Sequence, residues 1–75
     1  MKQQVVVRVS GGAGARVALD IHQFLAGGMK TEYASSDGCA RFDLDTDAGA
    51  EITVYVNGNE KVQRGPIKSH YEVSA

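Results

Sequence analysis

The sequence predicts an all-β domain, and three observations predict it. Most of the chain alternates apolar and polar residues with period two, the signature of a strand with one buried face. Asp37-Gly38 and Asn57-Gly58 fall between such runs, and both pairs tolerate the positive φ that short turns between strands need. Seventy-five residues leave too little chain for the parallel sheet and covering helices of an α/β unit.

Near the start, Val5, Val7 and Val9 share one side of a strand, with Arg8 outward. The next segment, GARVALDIHQFLAGG, admits two readings. Val17, Ile21, Phe24 and Leu25 are spaced for an amphipathic helix that Gly27 would terminate. A helix there, following VVVRVSGGAGA, would make a βα unit whose glycine-rich turn could cradle a phosphate. The spacing is G-G-A-G, not G-x-G-x-x-G, there is no lysine of the phosphate-loop type, and no second helix follows. The same residues also alternate, with Val17, Leu19 and Ile21 on one side and Arg16, Asp20 and His22 on the other, so a strand is the expectation.

TEYASSDGCARFDLD then reads as a hairpin across Asp37-Gly38 that pairs residues 31–33 with 40–42. Ser35, Ser36 and Asp37 can cap their own backbone in the turn. Ala40, Phe42 and Leu44 point inward, while Cys39, Arg41, Asp43 and Asp45 point outward. In EITVYVN the inward set is Ile52, Val54 and Val56, with Thr53 and Tyr55 opposite. Asn57-Gly58 predicts a second hairpin. Pro66 is expected to begin the last strand or to lie at a sheet edge, and Ile67, Tyr71 and Val73 repeat the apolar pattern near the end.

Composition narrows the possible functions. Residues 1–75 form one domain, and a chain this short buries only about 60% of the surface its unfolded form exposes, so a partner could supply further burial. Eight basic and nine acidic residues leave a net charge of −1, which argues against nucleic-acid binding and against attraction to anionic membranes. A lone cysteine, Cys39, allows neither an internal disulfide nor a cysteine-rich zinc site. The apolar run in MKQQVVVRVSGG is too short for a signal peptide or a membrane span. The chain as it stands therefore reads as cytoplasmic, or as an excised domain.

Three constellations invite a chemical reading. Asp43, Asp45 and Asp47 begin like an EF-hand calcium loop. The sixth position is Ala48, the glycine falls seventh as Gly49 and the twelfth is Val54, so a solvent-facing strand edge is the simpler expectation. Cys39 with His22 or His70 could form a thiol nucleophile and base, although a single cysteine beside a tight turn ordinarily acts as a small neutral residue. Tyr55, Lys61, Arg64, Lys68 and His70 could form a basic aromatic patch, which the polar face of a strand explains equally well. No catalytic, metal-binding or cofactor-binding residue, and no cofactor, is expected.

The order GARVALDI, TEYASSDGCARFDLD and AGAEITVYVNG, over roughly residues 5–58, resembles the transthyretin-like, carboxypeptidase regulatory-like family of small β-sandwiches. The resemblance implies a Greek-key, immunoglobulin-like sandwich of six or seven strands. It also implies a non-enzymatic module that binds a protein, serves a structural role or assembles with itself. Hydroxyisourate hydrolases share the fold and use histidines and an arginine at a dimer channel, which suggests an alternative: a hydrolase-like enzyme using His22, Arg41 and His70. Those enzymes end in Tyr-Arg-Gly-Ser where this chain ends in YEVSA, so no catalytic residue is carried over. Exposed strand edges add strands from other chains. A homodimer is therefore expected, through an edge carrying Val5, Val7 and Val9 or one carrying Ile67, Tyr71 and Val73.

Overall fold

The alternation read from the sequence gives Val5, Val7 and Val9 one apolar face and Val17, Leu19 and Ile21 another, and burying both sets is achieved when two sheets meet face to face. The computed structural model describes residues 2–23, 28–46 and 49–75, and it shows this arrangement. Among the described residues there are seven strands and no helix: β1 (Lys2–Ser10), β2 (Arg16–His22), β3 (Gly28–Tyr33), β4 (Cys39–Asp45), β5 (Glu51–Val56), β6 (Asn59–Pro66) and β7 (His70–Ser74). They form a three-stranded sheet in the order β4-β1-β7 and a four-stranded sheet in the order β3-β2-β5-β6. The chain changes sheet after β1, β3, β4 and β6, the interlocked connectivity of a Greek-key sandwich.

The smaller sheet turns Val5, Val7, Val9, Ala40, Phe42, Leu44 and Tyr71 inward, against Val17, Leu19, Ile21, Ile52, Val54 and Val56 of the larger. Val5, Val7, Val17, Leu19 and Val54 are wholly excluded from solvent; each such side chain favours the folded state by about 1.5–3 kcal/mol of transfer free energy. Residues 16–22 form a strand because β3 and β5 pair with them on both sides. Phe24, Leu25 and Gly27, on which the helical reading also rested, lie outside the described residues.

Asn57-Gly58 makes the expected hairpin. Both residues have positive φ, 51° and 86°, which is the type I′ geometry that matches strand twist, and Val56 faces Asn59 across it. Pro66 ends β6, an edge strand.

Two expectations need correction. Asp37-Gly38 is a tight turn, but it does not pair its two arms. Gly38 N–H donates to Ser35 O at 2.8 Å and Ser35 N–H to Cys39 O at 3.0 Å. Beyond that rung the arms part. Ala34 N–H goes to Ala15 O (2.8 Å) and Val9 N–H to Gly38 O (2.7 Å), so β3 joins β2 while β4 joins β1. Ala40, Phe42 and Leu44 are thereby buried, whereas all of β3 is exposed and offers them no apolar cover.

The second correction concerns Val5, Val7 and Val9. Their strand is the middle one of its sheet, antiparallel to β4 and parallel to β7, and their side chains form the core. They therefore cannot serve as a docking edge. Strand β7 is an edge; Tyr71 on it is buried, Val73 is half-buried, and Ile67 precedes it.

Candidate functional site

With the inner faces filled, function falls to the two outer faces and the open edges. The outer face of the three-stranded sheet is polar and internally paired. Its rows set Gln4 beside Asp43, Val6 between Arg41 and His70, and Arg8 between Cys39 and Glu72. Arg8 lies 3.7 Å from Glu72, and Arg41 lies 3.2 Å from Asp37.

The outer face of the four-stranded sheet differs. Strand register places Ala18 between Thr31 of β3 and Tyr55 of β5. A methyl group between longer neighbours leaves a depression, here a groove of about 380 Å³ lined by Arg16, Ala18, Met29, Thr31, Tyr55 and Gly58. The β5–β6 turn fixes its upper rim: Arg16 N–H donates to Asn57 Oδ1 at 3.1 Å, and Asn57 N–H donates to Arg16 O at 2.8 Å. Beside the groove, Met29 is 59% exposed and Tyr33 68% exposed. Both point outward from β3, an edge strand.

At the far end of the same face, His22 covers Thr53. Thr53 faces outward yet is only 4% exposed; His22 Nε2 lies 3.1 Å from its hydroxyl and 3.6 Å from Asp20. A hydroxyl–imidazole–carboxylate relay needs the two partners on opposite ring nitrogens. Here one nitrogen meets both, so the cluster is a polar cover over Thr53.

The Asp37 turn is a local clasp. The carboxylate is held well below the usual range first by the Ser35 hydroxyl, then by Cys39 N–H at 3.0 Å and by the Arg41 guanidinium at 3.2 Å. The Asp37-to-Cys39 bond is an Asx turn, which realises the capping expected from the sequence.

Of the residues considered for a hydrolase-like site, Arg41 and His70 share one row, separated by β1 and thus about 10 Å apart. His22 is on the outer face of the other sheet, so the three do not converge. Cys39 is a free, half-buried thiol that faces Arg8, not a histidine. The proposed basic aromatic patch is dispersed as well: Tyr55 walls the groove, Arg64 is held by Glu51 at 2.8 Å, and His70 belongs to the smaller sheet. Asp43 and Asp45 lie exposed along β4, while Asp47 falls outside the described residues. Among the described residues no cluster of three metal-ligating side chains forms.

The groove was not legible from the chain as such. Its one signal was the spacing of Met29, Thr31 and Tyr33, which puts two large side chains on one face of an otherwise polar strand. No family model, curated protein or solved structure matches the chain.

Proposed function

We propose that the chain is a non-enzymatic association module of the transthyretin-like, carboxypeptidase regulatory-like kind, which binds another protein chain through the open β3 side of its four-stranded sheet. The observation that carries this reading is the exposure of Met29 and Tyr33 on an edge strand, open on one side, beside a groove. Large apolar side chains grouped on a free surface mark places where partners dock. Backbone groups along an open edge supply affinity, and alternate side chains supply selectivity.

The seven-stranded Greek-key sandwich, with an Asp-Gly turn leading into Ala40-Arg41-Phe42, supports the family reading. The non-enzymatic reading is supported by the placement of His22 on the opposite face from Arg41 and His70, because a catalytic set must converge on one pocket. A photo-reactive phenylalanine analogue in place of Tyr33, installed in the cells that make the protein, tests the proposal. Covalent adducts are expected from position 33, lost when Met29→Asp is added, and absent when the analogue replaces Asp43 on the other sheet. Equal labelling from both positions, or none from position 33, would overturn it.

A further inference from the structure

We infer that the partner of β3 is the β3 strand of a second copy, paired antiparallel about a two-fold axis through Thr31. This rests on the reading that the domain associates through its β3 side, and it adds the identity of the partner and the register.

Backbone direction comes first. Ala34 N–H bonds to Ala15 O, on the β2 side. Alternation along the strand then turns the N–H and C=O groups of Glu32, Lys30 and Gly28 toward β2 and leaves those of Met29, Thr31 and Tyr33 pointing off the edge. Two such strands can exchange hydrogen bonds only where these three residues oppose one another. Centring the pair on Thr31 opposes Thr31 to Thr31, and each Met29 to Tyr33 of the second copy. Those three mutual pairs supply about six inter-chain hydrogen bonds.

The side chains agree with that register. Met29 and Tyr33 lie on the outer face, so each crossing brings a thioether against an aromatic ring, a favourable contact. Lys30 and Glu32 lie on the other face, opposite Leu19 and Val17 in the β2 pairing. In the centred register each Lys30 meets Glu32 of the second copy at a non-hydrogen-bonded position, where side chains approach most closely. Sliding one step either way opposes Lys30 to Lys30 or Glu32 to Glu32. The charges therefore select a single alignment.

Among the described residues, neither Lys30 nor Glu32 has an ion-pair partner, and every residue of β3 is exposed, so edge and charges stand free. The other edges are less open. Arg41 of β4 is taken by Asp37, β6 carries register shifts and ends on Pro66, and β7 has five residues. A net charge of −1 adds little repulsion between copies.

Sedimentation equilibrium over a hundredfold concentration range tests the inference. The wild-type weight-average mass should climb from 8.0 kDa toward twice that value. Lys30→Glu alone and Glu32→Lys alone each set like charges along both halves of the seam, and each should weaken dimerisation at least about tenfold. Because both side chains are exposed, the monomer's thermal midpoint should hold. Mixing the two single variants in equal amounts should restore a dimer, since a chain with two acids then faces a chain with two bases. The doubly exchanged Lys30→Glu, Glu32→Lys chain should dimerise by itself. A wild-type monomer throughout the range would assign Lys30 and Glu32 to edge protection and overturn the inference, as would a single variant that dimerises normally or a mixture that stays monomeric. If position 33 crosslinks only to a chain of different mass, association through β3 stands and self-pairing falls.

Discussion

Gly38 occupies the place where the chain passes from one sheet to the other, and Gly38→Ala should cost far more than a glycine in a turn usually does. Its φ is +82°, a region that costs a residue with a side chain about 1–2 kcal/mol. A methyl group there would also lie 2.7 Å from Val9 O, a backbone atom of the central strand that cannot swing away. Relief requires the turn to lift off β1, which strains the 2.7 Å bond from Val9 N–H to Gly38 O, a loss of about another 1 kcal/mol. The expected total is about 2–4 kcal/mol. A chain of 75 residues has about 4–11 kcal/mol to lose, and the midpoint of thermal unfolding should fall by about 10–25 °C.

Gly58→Ala is the control. Its φ is +86°, but the nearest atom to an added methyl is the Arg16 guanidinium at 3.6 Å, the far end of a flexible side chain. It should show the conformational cost alone. Urea unfolding of both variants, followed by circular dichroism and fitted with a common m-value, isolates the collision. If the two variants lie within about 0.5 kcal/mol of each other, the close approach of Gly38 to Val9 has no energetic weight and the argument fails.

Two further predictions concern single contacts. In the wild type the unfolded chain protonates Asp37 near its ordinary pKa of about 3.9 while the folded turn refuses the proton. The stabilisation is therefore complete above about pH 4 and erodes as pH falls below that; Asp37→Asn should flatten the stability profile between about pH 4 and 2, and an unchanged slope in a chemical denaturation series would refute this. Tyr71 hydroxyl accepts from Lys68 N–H at 2.9 Å and donates to Pro66 O at 3.2 Å, tying the β6–β7 crossover to the core. Tyr71→Phe should cost about 1–2 kcal/mol by leaving that N–H without its acceptor, and a cost below about 0.3 kcal/mol would show that solvent satisfies it.

The faces of the strands were legible in the sequence and their neighbours were not. Period two says which side chains of β4 and β5 point inward, and Phe42, Leu44, Ile52 and Val54 are buried as that pattern requires. It is silent on pairing, because an inward valine looks the same on a middle strand as on an edge. For β1 one sign was available: Val6, on the outward register, is also apolar, and it lies half-buried between Arg41 and His70. At Asp37-Gly38 the turn itself is local chemistry and could be read. Whether its arms then pair depends on competition from β1 and β2, which no window around the turn contains. The groove depends on Ala18, Thr31 and Tyr55 meeting across three strands, a relation that exists only after the sheet has formed.

Three strands cannot cover four, and that mismatch singles out β3 as the edge for the proposed association. The strands beyond the overlap must keep their inner faces covered or soluble. On β6 the inward Val62 packs against the core, and register shifts and Pro66 discourage a further strand. On β3 the inner face carries Lys30 and Glu32. Two lysines would have served solubility as well and would have repelled a second copy in the centred register. One charge of each sign, placed symmetrically about Thr31, repels the slipped alignments and attracts in the centred one. In the proposed dimer the overhang therefore keeps a charged inner face while its edge is completed by a second copy.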